Sequence, residues 1–256
     1  MKTVAEVIKY NRNTLSTVSS FINDHHYNQS PDNYGLPQSV RHLIDLPLND
    51  DLTYVDVIMY LQQYLTPHRA GAVKYVEIGV SVLKTFFQVS NFLSDSELYA
   101  FDINDINQTI ADKFTKTGEE GSINRYEYNT NKIRHFKGDV FKKEDFVNFQ
   151  KEINGEVNII FSDAHHTGEG LKSEYNNYIK GALANDFILY YDDLQNEDMR
   201  NVFVEIAKDF KSRSPNNTSA LMVVNGWLGQ HEFAHVNGIV TSLDLRSHFP
   251  TLQYLE

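Results

Sequence analysis

The run Lys74-Tyr75-Val76-Glu77-Ile78-Gly79-Val80-Ser81-Val82-Leu83-Lys84-Thr85 changes its period halfway along. Lys74 to Ile78 is an apolar stretch of strand length, whereas Val82, Phe86, Val89 and Leu93 recur on one face of a helix. Gly79 marks the junction. A glycine at a strand-to-helix turn lets a ligand approach the backbone, and the helix behind it offers free N–H groups. The turn is not the dinucleotide fingerprint, which needs three glycines where this one has only Gly79.

The same alternation continues downstream. Strand-length runs occur at Glu97 to Phe101, Ile133 to Lys137, Val157 to Phe161, Phe187 to Tyr191, Leu221 to Val224 and about His235 to Ser242. With Lys74 to Ile78 they make seven strands. Leu171, Tyr175, Tyr178, Ile179 and Ala182 share one helical face between them, as do Val202, Ile206, Ala207 and Phe210. Strands alternating with helices predict an α/β fold with a mostly parallel sheet. The last two strands are joined by Gly226 to Gln230, too short for a crossover helix, so the last strand should be antiparallel. Upstream, residues 1–70 read as a helix (Val4 to Phe21), a polar loop (Asn23 to Gln38) broken by Pro31, Gly35 and Pro37, and a second helix (Leu52 to Leu65). They form a helical extension or cover, followed by the main domain, 71–256.

Composition narrows the function. The 34 acidic and 23 basic residues give a formal charge of −11, which opposes the counterion-releasing part of nucleic-acid binding. Zero cysteines exclude disulfides, cysteine zinc sites, iron–sulfur clusters and a thiol nucleophile. The polar first 22 residues contain no apolar run of the signal-peptide or membrane-span kind, so a soluble, cytoplasmic protein is expected, with no membrane partner.

In open α/β sheets, ligands sit beyond the carboxyl ends of the strands. There the chain places Glu77-Ile78-Gly79, then Asp102, 25 residues after Glu77, and then Gly138-Asp139. An acid at the position of Asp102 can accept both hydroxyls of a ribose, although each of these acids could equally cap a helix. Ordered with Ile159-Ile160-Phe161-Ser162-Asp163, these motifs resemble those of class I S-adenosylmethionine-dependent methyltransferases, over residues 74 to 193. The resemblance implies a Rossmann-like fold with S-adenosylmethionine as cofactor, held by Glu77, Gly79, Ser81, Asp102, Asp139 and Asp163. Gly79, Glu77 and Ser81 would meet its methionine part, Asp102 the ribose, and Asp139 the neighbourhood of adenine. One departure is Leu83, where many relatives keep a second glycine.

Asp163 ends the fourth run, and Asp192-Asp193 follow the fifth, 29 residues later. Carboxylates at the tips of adjacent strands can converge on one hard cation, which prefers oxygen ligands, or they can form a turn that caps the helix near Asn196. Here the chain is similar to the metal-dependent O-methyltransferases of the catechol and macrolide-sugar types. This similarity implies Mg²⁺ or another divalent cation on Asp163, Asp192 and Asp193, with a hydroxylated small molecule as acceptor. His166, three residues beyond Asp163, can take a proton near neutrality and stands where those enzymes carry their base. His165 is either structural or part of the substrate pocket. Trp227 and His231 would line the same pocket, with Tyr27, Tyr34 and Tyr54 near the cover.

A competing motif lies at His231-Glu232-Phe233-Ala234-His235, the zinc-peptidase pattern of two histidines flanking a glutamate. It works only on a helix, whereas Gly226, Gly229 and the following Gly-Ile-Val-Thr read as strand context. The expected function is O-methyl transfer from S-adenosylmethionine. A metal-independent enzyme using His166, a zinc peptidase and a non-catalytic binding module are the alternatives, and the helical extension offers a surface for a homo-oligomer.

Overall fold

The computed structural model describes residues 1–17, 22–23, 28–29, 52–65, 73–153, 155–224 and 235–255. Helices α1 (Val4–Ser16) and α2 (Tyr54–Gln62) precede strand β1 (Lys74–Ile78) and helix α3 (Lys84–Phe92). Next come β2 (Glu97–Asp102), a hairpin of β3 (Thr115–Glu120) and β4 (Ile123–Tyr128), β5 (Asn131–Lys137) and α4 (Lys143–Glu152). Strand β6 (Val157–Ser162) leads to α5 (Gly168–Glu174), which runs on through a π turn (Tyr175–Ile179). Strand β7 (Leu183–Tyr191), α6 (Glu197–Arg213), β8 (Thr218–Val224), β9 (His235–Thr241) and β10 (Gln253–Tyr254) complete the main elements.

The sheet order is β10-β8-β9-β7-β6-β1-β2-β5-β4-β3. Its centre, β7-β6-β1-β2-β5, is parallel, and β9 is antiparallel to both β7 and β8. Among the described residues the sheet has ten strands, not the seven expected. The two added on one side, β3 and β4, pair antiparallel next to β5, and β10 adds two residues at the other edge. Strand β3 reads Thr-Lys-Thr-Gly-Glu-Glu and is exposed along nearly its whole length, so it carries no apolar alternation to detect. Charged side chains also protect that free edge from pairing with another chain. The order of the parallel strands reverses between β1 and β6, which opens a crevice at their carboxyl ends.

Side chains alternate between two cores, as the two-residue period of a strand requires. Tyr75, Leu98, Ala100, Ile159, Phe161, Ile188 and Tyr190 face α1, α2 and α3. Val76, Ile78, Tyr99, Phe101, Ile160, Leu189 and Tyr191 face α4, α5 and α6. Helix α1 stops at Ser16, short of the expected Phe21, and the side chains of Ser16 and Thr17 bond back to the carbonyls of Asn13 and Thr14. Thr53 and Asp56 form a capping box that starts α2. Among the described residues, no helix is long and apolar enough to cross a membrane.

A buried polar network joins the N-terminal helices to the sheet. Asp56, fully buried, accepts from Asn11, Arg12 and Thr53, and Gln88 of α3 donates to Asn11 at 2.7 Å. Asp56→Ala would leave the Arg12 charge buried without that partner, so a loss of about 3–5 kcal/mol is expected. Urea unfolding measures it, and a loss below about 1 kcal/mol, the scale of an exposed ion pair, would show that the network does not bear on stability.

Candidate active site

The acids stand where hydrogen bonds extend the strand ladder past its last regular residue. The N–H of Gly79 donates to Phe101 O, Gly138 N–H to Asp102 O, Asp163 N–H to Ile78 O and Asp192 N–H to Ser162 O, at 2.8, 2.8, 2.8 and 3.1 Å. Backbone pairing therefore fixes the heights of the site residues in one layer.

Gly79 has φ +85°, and a β-carbon there would lie 2.4 Å from both Ala164 Cα and Asp163 O. Its bare backbone lets the turn after β1 press against the turn after β6. Ser81 (φ +43°) and Leu83 (φ +67°) are also left-handed, so the backbone alternates hand from residue 79 to 83. Such alternation turns successive N–H groups toward one point and commonly cradles an anion. Here the anion is internal: Asp102 Oδ2 accepts from Val80 and Ser81 N–H, each at 2.9 Å, while Oδ1 accepts from Asn104 N–H.

Above this turn lies a cleft of about 420 Å³, a volume suited to a small ligand. Gly79, Ser81, Asp102, Asp139, Asp163 and His165, all singled out in the sequence, line it. Ile103, Asn104, Val140 and Phe141, which were not, also line it. Ile103 and Phe141 are large, exposed and apolar, each one or two residues beyond a strand-end acid, and that pattern could have marked them. Among the described residues, no lysine or arginine lines it. Asp139 Oδ1 accepts from Phe141 N–H at 2.9 Å and so shapes the wall it belongs to. His165 is held by Thr167 at 2.8 Å and meets the Phe141 ring edge to face.

Glu77 lies beneath the cleft and does not line it. It is 1% exposed, accepts from Tyr75 OH at 2.5 Å, and burial pushes its pKa well above the ordinary value. Tyr54 of α2 is likewise buried behind the acids, stacked on Phe161 with its hydroxyl 3.2 Å from Thr85 Oγ1. Burial, with the charges of Asp192 and Asp163, raises its pKa and keeps its proton in place.

At the end of the cleft, Asp163, His166 and Asp193 bring one ligating atom each within 4.8 Å of one another. His166 Nε2 is 3.3 Å from Asp163 Oδ1, and its Nδ1 is 3.2 Å from Asp193 Oδ2. The hydrogen bond to Asp163 and the facing carboxylates raise the His166 pKa to about 9, so the proton of this group rests on the imidazole. Burial and the neighbouring carboxylates push Asp163 upward, against the opposing pull of His166. Asp192, expected with Asp163 and Asp193, stands outside this trio. It is 4% exposed, and its Oδ1 accepts from Asp193 N–H and Asn237 Nδ2.

Trp227, His231, Glu232, Tyr27 and Tyr34 lie outside the described residues. His235 opens β9 opposite Val224, so it is on a strand and not a helix. The zinc-peptidase reading loses the helix it requires.

Glu174, on the apolar face of α5, sits behind this layer. It is fully buried and accepts from Ser162 Oγ at 2.5 Å. Burial raises its pKa to about 8. The folded protein thus keeps a proton that the unfolded chain releases, and stability falls as pH rises from about 4.5 to about 8. Glu174→Gln should remove that part of the slope, measured as the urea midpoint between about pH 5 and 8; an unchanged slope would contradict the assignment.

No family model matches this chain, and no curated protein matches it. Solved structures do. One is the MycE methyltransferase from the mycinamycin biosynthetic pathway, in complex with Mg and SAH. It is 13% identical, with 76% of this chain and 54% of that chain covered and a TM-score of 0.46, so the chain spans about half its length. Another is the O-methyltransferase TomG from Streptomyces achromogenes, in complex with SAM, at 10% identity, 92% and 98% coverage and a TM-score of 0.48. A spermidine synthase in complex with the transition-state analogue AdoDATO is also similar, at 11% identity, 75% and 60% coverage and a TM-score of 0.42. A shared fold does not fix a reaction. In fold, the chain is similar to these solved proteins, two of which are methyltransferases.

Proposed function

We propose that this protein transfers a methyl group from S-adenosylmethionine to a hydroxyl oxygen of a small molecule, with a divalent cation at Asp163 and Asp193. The observation that carries the reading is a cleft at the sheet's switch point, lined by carboxylates with no lysine or arginine among its described residues, whose Asp163 belongs to the Asp163–His166–Asp193 cluster. A phosphate-bearing cofactor would meet like charge there, and the turn N–H groups that could hold it already serve Asp102. A sulfonium ion with neutral ribose hydroxyls suits the same surroundings. Ile103 and Phe141 offer apolar surface for a base.

The donor set of Asp163 and Asp193 is hard oxygen and fits Mg²⁺ or Mn²⁺. A cation bound there supplies Lewis acidity, lowering the pKa of an acceptor hydroxyl. Asp163 and Asp193 would hold that cation, and with their charge so matched His166 would release its own proton to solvent and be able to accept the one from the hydroxyl. S-adenosylmethionine would supply the methyl group, and its sulfur would keep the electron pair of the broken carbon–sulfur bond as the acceptor oxygen bonded to the methyl carbon. Facing two carboxylates, His166 holds its proton at neutral pH, which disfavours the alternative of a cation-free base. Catechols and vicinal diols are the acceptor classes to try, since both present two oxygens to one cation.

The test is transfer of labelled methyl from S-adenosylmethionine to catechol and diol acceptors, with Mg²⁺ and with chelator. Cation-dependent transfer is expected, and His166→Ala should lower kcat by about 10²–10⁴-fold while leaving S-adenosylhomocysteine affinity intact. An unchanged rate in that variant would remove the role of His166. Cofactor binding without transfer to any acceptor would favour a binding module.

A further inference from the structure

The segment that looked like a zinc motif contributes a different residue to the site. Asn237, on β9, is fully buried beside the turn that carries Asp192 and Asp193. Its Nδ2 donates to Asp192 Oδ1, and its Oδ1 accepts from Tyr190 OH at 2.9 Å. A carboxylate oxygen only accepts, so the amide must face Asp192 with its nitrogen, and the tyrosine must donate to the remaining oxygen. The chain of bonds runs one way, from Tyr190 through Asn237 to Asp192.

The neighbouring residue of β9 grips the same turn from its other end. Leu194 N–H donates to Val236 O at 2.8 Å. Gly238 permits this closeness, since a β-carbon there would lie 2.6 Å from Leu194 Cδ1 and 2.5 Å from the Phe203 ring. Between the two grips, Asp193 is left-handed at φ +57°, and its N–H closes on Asp192 Oδ1 at 2.8 Å. That conformation directs the Asp193 carboxylate to His166 and the Asp163 cluster.

We propose that Asn237 is a positioning residue of this site, holding the Asp192–Asp193 turn so that Asp193 can serve a divalent cation together with Asp163. The inference rests on the cation reading given above. Its structural counterpart, a polar bond that merely stabilises β9 against β7, would change melting temperature but not the affinity for a cation.

The experiment titrates Mn²⁺, followed by electron paramagnetic resonance, into the wild-type protein and into Asn237→Ala, Asn237→Asp and Tyr190→Phe, with melting temperature and S-adenosylhomocysteine binding as controls of folding. In folded Asn237→Ala, Mn²⁺ affinity is expected to fall about 10–100-fold with nucleoside affinity unchanged. Asn237→Asp, which replaces the donor with a second acceptor facing Asp192, should lose more, and Tyr190→Phe less. Folded Asn237→Ala that binds Mn²⁺ within about twofold of wild type overturns the inference and leaves the cation reading standing, because that change is far below the effect of removing a residue that orients a ligand. Wild-type protein that binds no Mn²⁺ overturns both. If Asn237→Ala does not fold, Tyr190→Phe decides, with weakened Mn²⁺ binding supporting the role and unchanged binding refuting it.

Discussion

Two backbones meet at Gly79 with no space for a β-carbon between them, and the site follows from that contact. It brings the turn after β1 against Asp163 and Ala164 at the place where the strand order reverses. A side chain of any size at residue 79 would push the β6 end away, and Asp163 with it. The left-handed geometry of the same turn points its N–H groups at Asp102, which binds the ends of β1 and β2 into one rigid rim. The rim of the cleft is therefore framed by main chain, and side chains supply its charge and, at Ile103 and Phe141, apolar wall.

That charge is one-sided. Asp102, Asp139 and Asp163 line the cleft, Asp193 clusters with Asp163, and Glu77 and Glu174 are buried. Gathering acids in a poorly solvated layer costs stability, and the chain meets the cost in different ways at different positions. Burial pushes the pKa of both Glu77 and Glu174 upward, to about 8 in Glu174. Asp102 is matched by three backbone N–H groups. Asp163 and Asp193 share the imidazole of His166. This last arrangement adjoins the cleft wall at Asp163, and in the proposed function it is the one a divalent cation would replace. Perturbed groups gathered at one end of a crevice are what a catalytic site requires, although purely structural ion pairs perturb pKa values as well.

The sequence made some of this legible and concealed the rest for physical reasons. The seven apolar runs are all strands, because each alternates its side chains between two dry cores. The β3–β4 hairpin escaped notice because its outer strand borders water on both sides and has no apolar period. Glycine and acid spacing indicated the cleft layer, but the depth of each acid depends on the strand's facing, so the burial of Glu77 could not be read from its position one residue before Ile78. Asp192 and Asp193 are adjacent in the chain, yet only Asp193 joins Asp163 and His166, because a partner 45 residues away on β9 holds Asp192. No local pattern encodes such a contact. Glu174 did leave a trace, as a charged residue on the otherwise apolar face of Leu171, Tyr175 and Tyr178.

The central claim is that the acid-lined cleft selects a cationic or neutral adenosyl ligand and rejects one carrying phosphate. Calorimetric titration of the protein with S-adenosylhomocysteine, and separately with NAD⁺ and ATP, tests it most directly. Saturable binding of S-adenosylhomocysteine with no heat from either phosphate-bearing nucleotide is the predicted result. Binding of NAD⁺ or ATP in preference to S-adenosylhomocysteine would contradict the account at its root.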